Sequence, residues 1–174
     1  MNKYFTHILA PVSLALLAIG FSACQEDDEL PAITSEGKNT FGCLVNGDLW
    51  LPKGSFNVPS TAADYTSGYF LSFSARSENT TFRFTVEEPI LINHRYDLTD
   101  TTRVRANYTN KTDNNLCFYK DYHVLNGSLE ITKFSLAYQN KVLSGTFEFT
   151  TYNPDCGDTI KVTEGRFDIG DITY

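Results

Sequence analysis

The sequence predicts an all-β domain: a single antiparallel β-sandwich or a small up-and-down barrel of about eight or nine strands. Three observations carry this. Apolar and polar residues alternate with period two in run after run beyond Thr40. The runs are rich in Phe, Tyr, Thr and Val, whose branched or flat side chains suit a pleated surface. Glycine-bearing turn dipeptides separate the runs, and no stretch after Cys24 carries a 3.6-residue period.

Taken in order, Phe41–Val45 and Asp48–Leu51 flank Asn46-Gly47, the strongest short hairpin signal. Trp50, just after that turn, is expected to be a core anchor rather than a ligand platform. In Tyr69–Ala75 one face carries Tyr69, Leu71, Phe73 and Ala75; in Thr81–Val86 it carries Phe82, Phe84 and Val86. Val104, Ala106 and Tyr108 repeat the pattern, followed by Leu129 with Ile131 and Phe147 with Phe149. Ile160 with Val162 and Phe167 with Ile169 close the series, so Leu129 through Ile169 reads as a sequential meander. Asn126-Gly127 and Glu164-Gly165 are read as turns, and Glu87-Glu88 before Pro89 as a solvated one.

The chain begins differently. Asn2 and Lys3 precede a run of about 14 residues, Ile8 to Phe21, apolar apart from Ser13. A weakly positive start, a short apolar run and small residues at its end describe an export signal; a bilayer span needs roughly 20 apolar residues. The junction Phe21-Ser22-Ala23-Cys24 resembles the lipobox of bacterial lipoproteins, with Phe21 where leucine is usual. The resemblance implies that residues 1–23 are removed and that the Cys24 sulfur receives a diacylglyceryl group. Fatty chains of the palmitate class then hold the protein to a membrane. An ordinary secretory signal cleaved near Ala23 is the alternative. Gln25-Glu26-Asp27-Asp28-Glu29 must be solvated, so residues 24–38 read as an acidic tether and 39–174 as the domain. Acids just after the anchor resemble the surface-export signal of Bacteroidota lipoproteins. That implies display outside the outer membrane, with its periplasmic face as the alternative.

Charge narrows the partners. The net charge is −7; the segment before Asn39 carries −3 of it, leaving −4 for the domain. A mildly acidic domain points away from nucleic acid, whose phosphates need a basic face.

Beyond Cys24 there are three cysteines, Cys43, Cys117 and Cys156, and an exported compartment permits disulfides. Cys117–Cys156 is the favoured pair, because both lie beside polar, turn-rich segments. Cys43 then fits an alternating strand as a small buried hydrophobe. A Cys43 bridge to either partner, or three reduced thiols, stays open.

The search for chemistry returns little. His94 and His123 lie in no metal-binding or paired spacing, and no cofactor motif is present. Ser144-Gly145 falls within an expected strand rather than at a nucleophile elbow. Asp113-Asn114-Asn115 lacks a calcium-loop spacing. Asp158-Thr159-Ile160 resembles the O-glycosylation acceptor of Bacteroidota exported proteins, which makes Thr159 a candidate modification site.

Thr40-Phe41-Gly42-Cys43-Leu44-Val45-Asn46-Gly47-Asp48-Leu49-Trp50 opens the domain. Leu143-Ser144-Gly145-Thr146-Phe147-Glu148-Phe149 and Thr163-Glu164-Gly165-Arg166-Phe167-Asp168 close it. Together, over roughly Thr40 to Ile169, they resemble a Bacteroidota lipoprotein family of unknown function, which implies an exported all-β domain and no catalytic residues. The expectation is a non-catalytic surface module binding a glycan or protein through an exposed aromatic patch or groove, with Tyr65, Tyr69, Tyr119 or Tyr122 as candidates. A lipocalin-like carrier with an apolar ligand inside a barrel is the alternative, and would need a cavity of several hundred Å3. A small hydrolase is a third reading.

Overall fold

The computed structural model describes residues 29–55, 58–112 and 115–174. The expected signal segment, the anchor Cys24 and the acids through Asp28 lie outside the described residues, as do Asp113 and Asn114.

Alternation becomes strands almost wherever it occurs. In chain order they are β1 (Thr40–Val45), β2 (Asp48–Trp50), β3 (Thr61–Thr66), β4 (Phe70–Arg76), β5 (Thr80–Glu87) and β6 (Arg95–Asp97). Then come β7 (Val104–Thr112), β8 (Asn115–Tyr119), β9 (Val124–Ala137), β10 (Asn140–Asn153), β11 (Asp158–Ile169) and β12 (Ile172–Thr173). One 3-10 turn, Asp121–His123, joins β8 to β9. Strands that the alternation did not show include the short β6 and β12. Such elements are too brief to show a period.

The strands form two six-stranded sheets. The first runs β2-β1-β11-β10-β9-β6 and the second β12-β3-β4-β5-β7-β8. The meander expected from Leu129 to Ile169 is present as β9, β10 and β11, each antiparallel to the next. Asn46 and Gly47 take φ of 53° and 91°, the positive pair that a tight hairpin between β1 and β2 requires.

The two sheets pack face to face as a sandwich and do not close into a barrel. Rings from both sheets meet between them: Phe73 lies 4.5 Å from Phe167, and Phe84 4.8 Å from Phe147. Phe41, Phe82, Leu71, Leu129, Ile131 and Ile169 complete a core that is almost wholly sealed from water. Aromatic rings occupy the space in which a barrel carrier would hold its ligand, which counts against the lipocalin-like alternative. Trp50 is a core anchor as expected: its ring stands edge-on to Phe41 and Phe82, and its indole N–H donates to Thr80 Oγ1 at 2.7 Å.

Two expected turns are corrected. Asn126-Gly127 lies inside β9 and Glu164-Gly165 inside β11. Glu164 has φ of 53°, and the β10–β11 register slips between Phe147 and Phe149, so this pair forms a bulge. Locally, a glycine in an alternating run is the same signal for a turn or a bulge. Only the partner strand decides between them. The glycines of the closing segments also make room. Gly145 lies opposite Phe167 and Gly165 opposite Phe147, so each glycine underlies the other strand's ring.

Cys117 on β8 is bonded to Cys156 in the β10–β11 turn, tying the edge of the second sheet to the first. Cys43 is fully buried, and burial pushes its thiol up to about 12. Replacing Cys117 and Cys156 together with serine is expected to lower unfolding free energy by about 2–4 kcal/mol, the usual range for releasing a loop of this length. Urea unfolding read by tryptophan fluorescence checks it; an unchanged midpoint would mean that the sheets hold together without the bridge.

Candidate functional site

The outer face of the first sheet divides into two halves. One half is covered by the chain's own N-terminal segment. The carboxylate of Asp168 on β11 points outward, yet only 1% of the residue is exposed. It accepts from the Thr34 hydroxyl at 2.6 Å, from the Gly37 N–H at 2.7 Å and from the Glu36 N–H at 3.0 Å. Beside it, Ser35 Oγ lies 2.8 Å from the buried Ser144 Oγ, and Lys133 Nζ donates to the Ser35 carbonyl at 2.9 Å. At the other end of the strap, Pro31 lies over Gly42, where an added Cβ would sit 2.6 Å from the proline ring. This corrects the lower boundary drawn from sequence. The tether was read through Lys38, but Pro31–Gly37 is seated on the sheet and belongs to the folded unit.

Burial on its own would raise the Asp168 carboxyl. The hydrogen bonds from Thr34 and from the backbone of Glu36, Gly37 and Lys38 outweigh it, and hold the group below the usual carboxylate range. Asp168 is therefore an anionic clasp for the strap.

Among the described residues, none covers the other half of this face. It holds adjoining shallow depressions centred on Arg95 and Gly127, the largest of about 510 Å³. Cross-strand register sets its rows. Asp97 on β6, Ser128 on β9 and Glu148 on β10 form one; Asn126, Thr150 and Lys161 form the next. Arg95 Nη2 donates to Glu148 Oε1 at 2.7 Å across the depression. The backbone N–H and then the hydroxyl of Thr99 hydrogen-bond Asp97, lowering its carboxyl pKa so that it stays ionised. Leu125, 59% exposed, supplies an apolar wall. Tyr152, partly exposed, follows Thr150 on the same side of β10. Planar polar groups, one ion pair and an apolar wall suit hydrogen-bonded recognition of a polar surface.

The sequence-proposed tyrosines do not form one patch. Tyr119 is buried, its hydroxyl donating to Asp158 Oδ1 at 2.5 Å; burial, then that bond, raise its pKa. Tyr65 donates to Glu88 at 2.5 Å and packs edge-on to Phe134, while Tyr69 is exposed in the turn before β4. Tyr122 is exposed in the 3-10 turn beside His123. Glu87 is no turn residue: it ends β5 and pairs with Arg105. His94 stands against Tyr96 before β6 and His123 lies in the 3-10 turn, so the two histidines belong to separate elements. Among the described residues no group of three His, Cys, Asp or Glu is placed to hold a metal ion. No helix among them is long and apolar enough to cross a membrane. Ser144-Gly145 lies within β10, as expected. Thr159 is exposed on β11, opposite Tyr152.

Sequence reasoning missed Asp168, Arg95 and Glu148. Asp168 carried one signal, an acid on the outward side of a strand within a closing motif. The cover that buries it comes from a segment more than a hundred residues away. Arg95 and Glu148 are 53 residues apart and carried none.

No curated protein and no solved structure matches the chain. Residues 45–169 match a family described as a domain of unknown function, DUF6252. The match takes in both closing segments and the end of the opening one. Because it spans more than two thirds of the sequence, the chain belongs to the DUF6252 family, an all-β sandwich in this member.

Proposed function

We propose that this protein is a cell-envelope lipoprotein of Bacteroidota type, held to the outer membrane through Cys24 and displayed at the surface, whose domain binds a glycan or protein without catalysis. The observation that carries the binding reading is the half of the first sheet beyond the strap, where polar side chains line an open depression around Arg95 that no described residue covers. The lipobox-like junction and the acids after Cys24 support the anchor and its export. A glycan on Thr159 would sit toward one end of the same rows, near the β10–β11 turn.

One experiment tests both parts. Cells are fed labelled palmitate and then treated, intact, with protease, alongside a periplasmic control protein. The expected result is label in this chain, lost on Cys24→Ala, and digestion while the control survives. An unlabelled chain would overturn the anchor, and protection until the outer membrane is broken would overturn surface display. For the binding site, a glycan array probed with the wild-type domain is expected to give hits that Arg95→Ala and Asn126→Ala both weaken. Hits unaffected by either change would place binding elsewhere.

A further inference from the structure

The outer face of the second sheet carries three arginines in a straight diagonal. The register aligns Arg76 with Thr81, Ser74 with Arg83, and Ser72 with Thr85 across β4 and β5. Across β5 and β7 it aligns Thr81 with Thr109, Arg83 with Asn107, and Thr85 with Arg105. Arg76, Arg83 and Arg105 therefore each step one strand over and two residues along. With strands about 4.8 Å apart and about 6.8 Å per residue pair, the steps are about 8 Å and the line about 16 Å long. All three residues alternate with buried ones, so they share the solvent face.

We propose that this diagonal binds an extended acidic polysaccharide, a chain carrying carboxylate or sulfate at intervals. Charge complementarity argues for it. Lys111 adds a fourth cation on β7, against Asp64 and the Glu87 that pairs with Arg105, on a domain of net charge −4. A guanidinium presents a planar fork that meets a carboxylate or sulfate with two parallel hydrogen bonds. The neighbours are sugar-like in their needs: Arg83 lies between Ser74 and Asn107, and Arg105 beside Thr85, all able to hydrogen-bond hydroxyls. Phe118 on β8, 44% exposed, ends the row of Arg76, Thr81 and Thr109, offering a sugar ring an apolar platform. Duplex DNA carries one charge for about every 1.7 Å of helix axis, counting both strands, far denser than this line of cations. A polysaccharide charged on every second sugar is sparser and matches it better. This site lies on the opposite sheet from the depression around Arg95 and does not depend on it.

The test is titration of the full chain in detergent with hyaluronate, which carries a carboxylate on every second sugar, keratan sulfate, which carries sulfate and no carboxylate, neutral dextran and duplex DNA, at low and high salt. The expected result is binding of the two acidic polysaccharides, weakened by salt, with no binding of dextran and weaker binding of DNA. Hyaluronate tighter than keratan sulfate would identify carboxylate as the anion; the reverse would identify sulfate. Arg83→Gln and Arg76→Gln are each expected to weaken binding about fivefold, as for the loss of one charged contact at a surface. Arg95→Gln, on the other sheet, should leave it unchanged. These are exposed residues, and an unshifted unfolding midpoint shows that each variant is folded. No binding of either acidic polysaccharide at low salt, DNA binding as tight as theirs, or an equal loss on Arg95→Gln would each overturn the proposal.

Discussion

Replacing Gly145 with alanine is expected to destabilise the domain by about 3 kcal/mol, or to prevent folding altogether, because a methyl group must enter space already filled. An added Cβ would lie 2.0 Å from the Glu130 carbonyl oxygen and 2.6 Å from the Phe167 ring. The carbonyl belongs to β9 and the ring to the core, so neither can swing away as the end of a flexible side chain can. Gly165 stands in the same relation to Phe147, 2.5 Å from its ring. The exchange is reciprocal because β10 and β11 are antiparallel, with Gly145 facing Phe167 and Phe147 facing Gly165. Gly47→Ala is the control. It has nothing within 4 Å, and its φ of 91° makes alanine cost only about 1 kcal/mol. Urea unfolding of both variants separates crowding from backbone strain. If Gly145→Ala costs no more than Gly47→Ala, the close approach of β9, β10 and the Phe167 ring is wrong.

Asp168→Asn is expected to free the N-terminal strap and to cost about 2–4 kcal/mol, the range for hydrogen bonds to a charged acceptor in a buried setting. An amide keeps one accepting oxygen but turns an NH2 group toward the N–H donors of Glu36 and Gly37. Amide exchange at Glu36 and Gly37 should speed up while exchange in the core strands stays slow. Wild-type exchange rates in the variant would show that the strap is held by Ser35, Ser144 and Lys133 instead. The pH dependence has a definite sign. Asp168 has a folded pKa below its unfolded value, so its contribution is fully present above about pH 4 and is lost as pH falls through the folded pKa. The strap should therefore loosen only in acid below the ordinary carboxylate range. Asp168→Asn should remove that part of the acid dependence.

The strap also bears on the anchoring reading. A lipid at Cys24 and a chain seated from Pro31 leave six residues between them, so the two points lie at most about 25 Å apart with the chain extended. The first sheet would then be held close to the membrane rather than floated on a long tether.

Period-two alternation was enough to identify an all-β domain, sandwich or barrel, because a strand with one buried face must repeat every second residue whatever it pairs with. The Asn46-Gly47 hairpin was equally local, since two adjacent positive φ values select those residues before any partner exists. The Cys117–Cys156 bridge was legible for a weaker reason: both cysteines sit beside turn-rich segments, and Cys43 lies in a strand. Tertiary structure alone decided what depends on a distant partner. It made Glu164-Gly165 a bulge rather than a turn, and it filled the interior with rings from both sheets. It brought Thr34–Gly37 onto an aspartate more than 130 residues away. It also set Arg76, Arg83 and Arg105 in line, because a diagonal across three strands exists only once the register of all three is set. A sequence carries the side-chain period of each strand, but not the identity of the residue that will lie across from it.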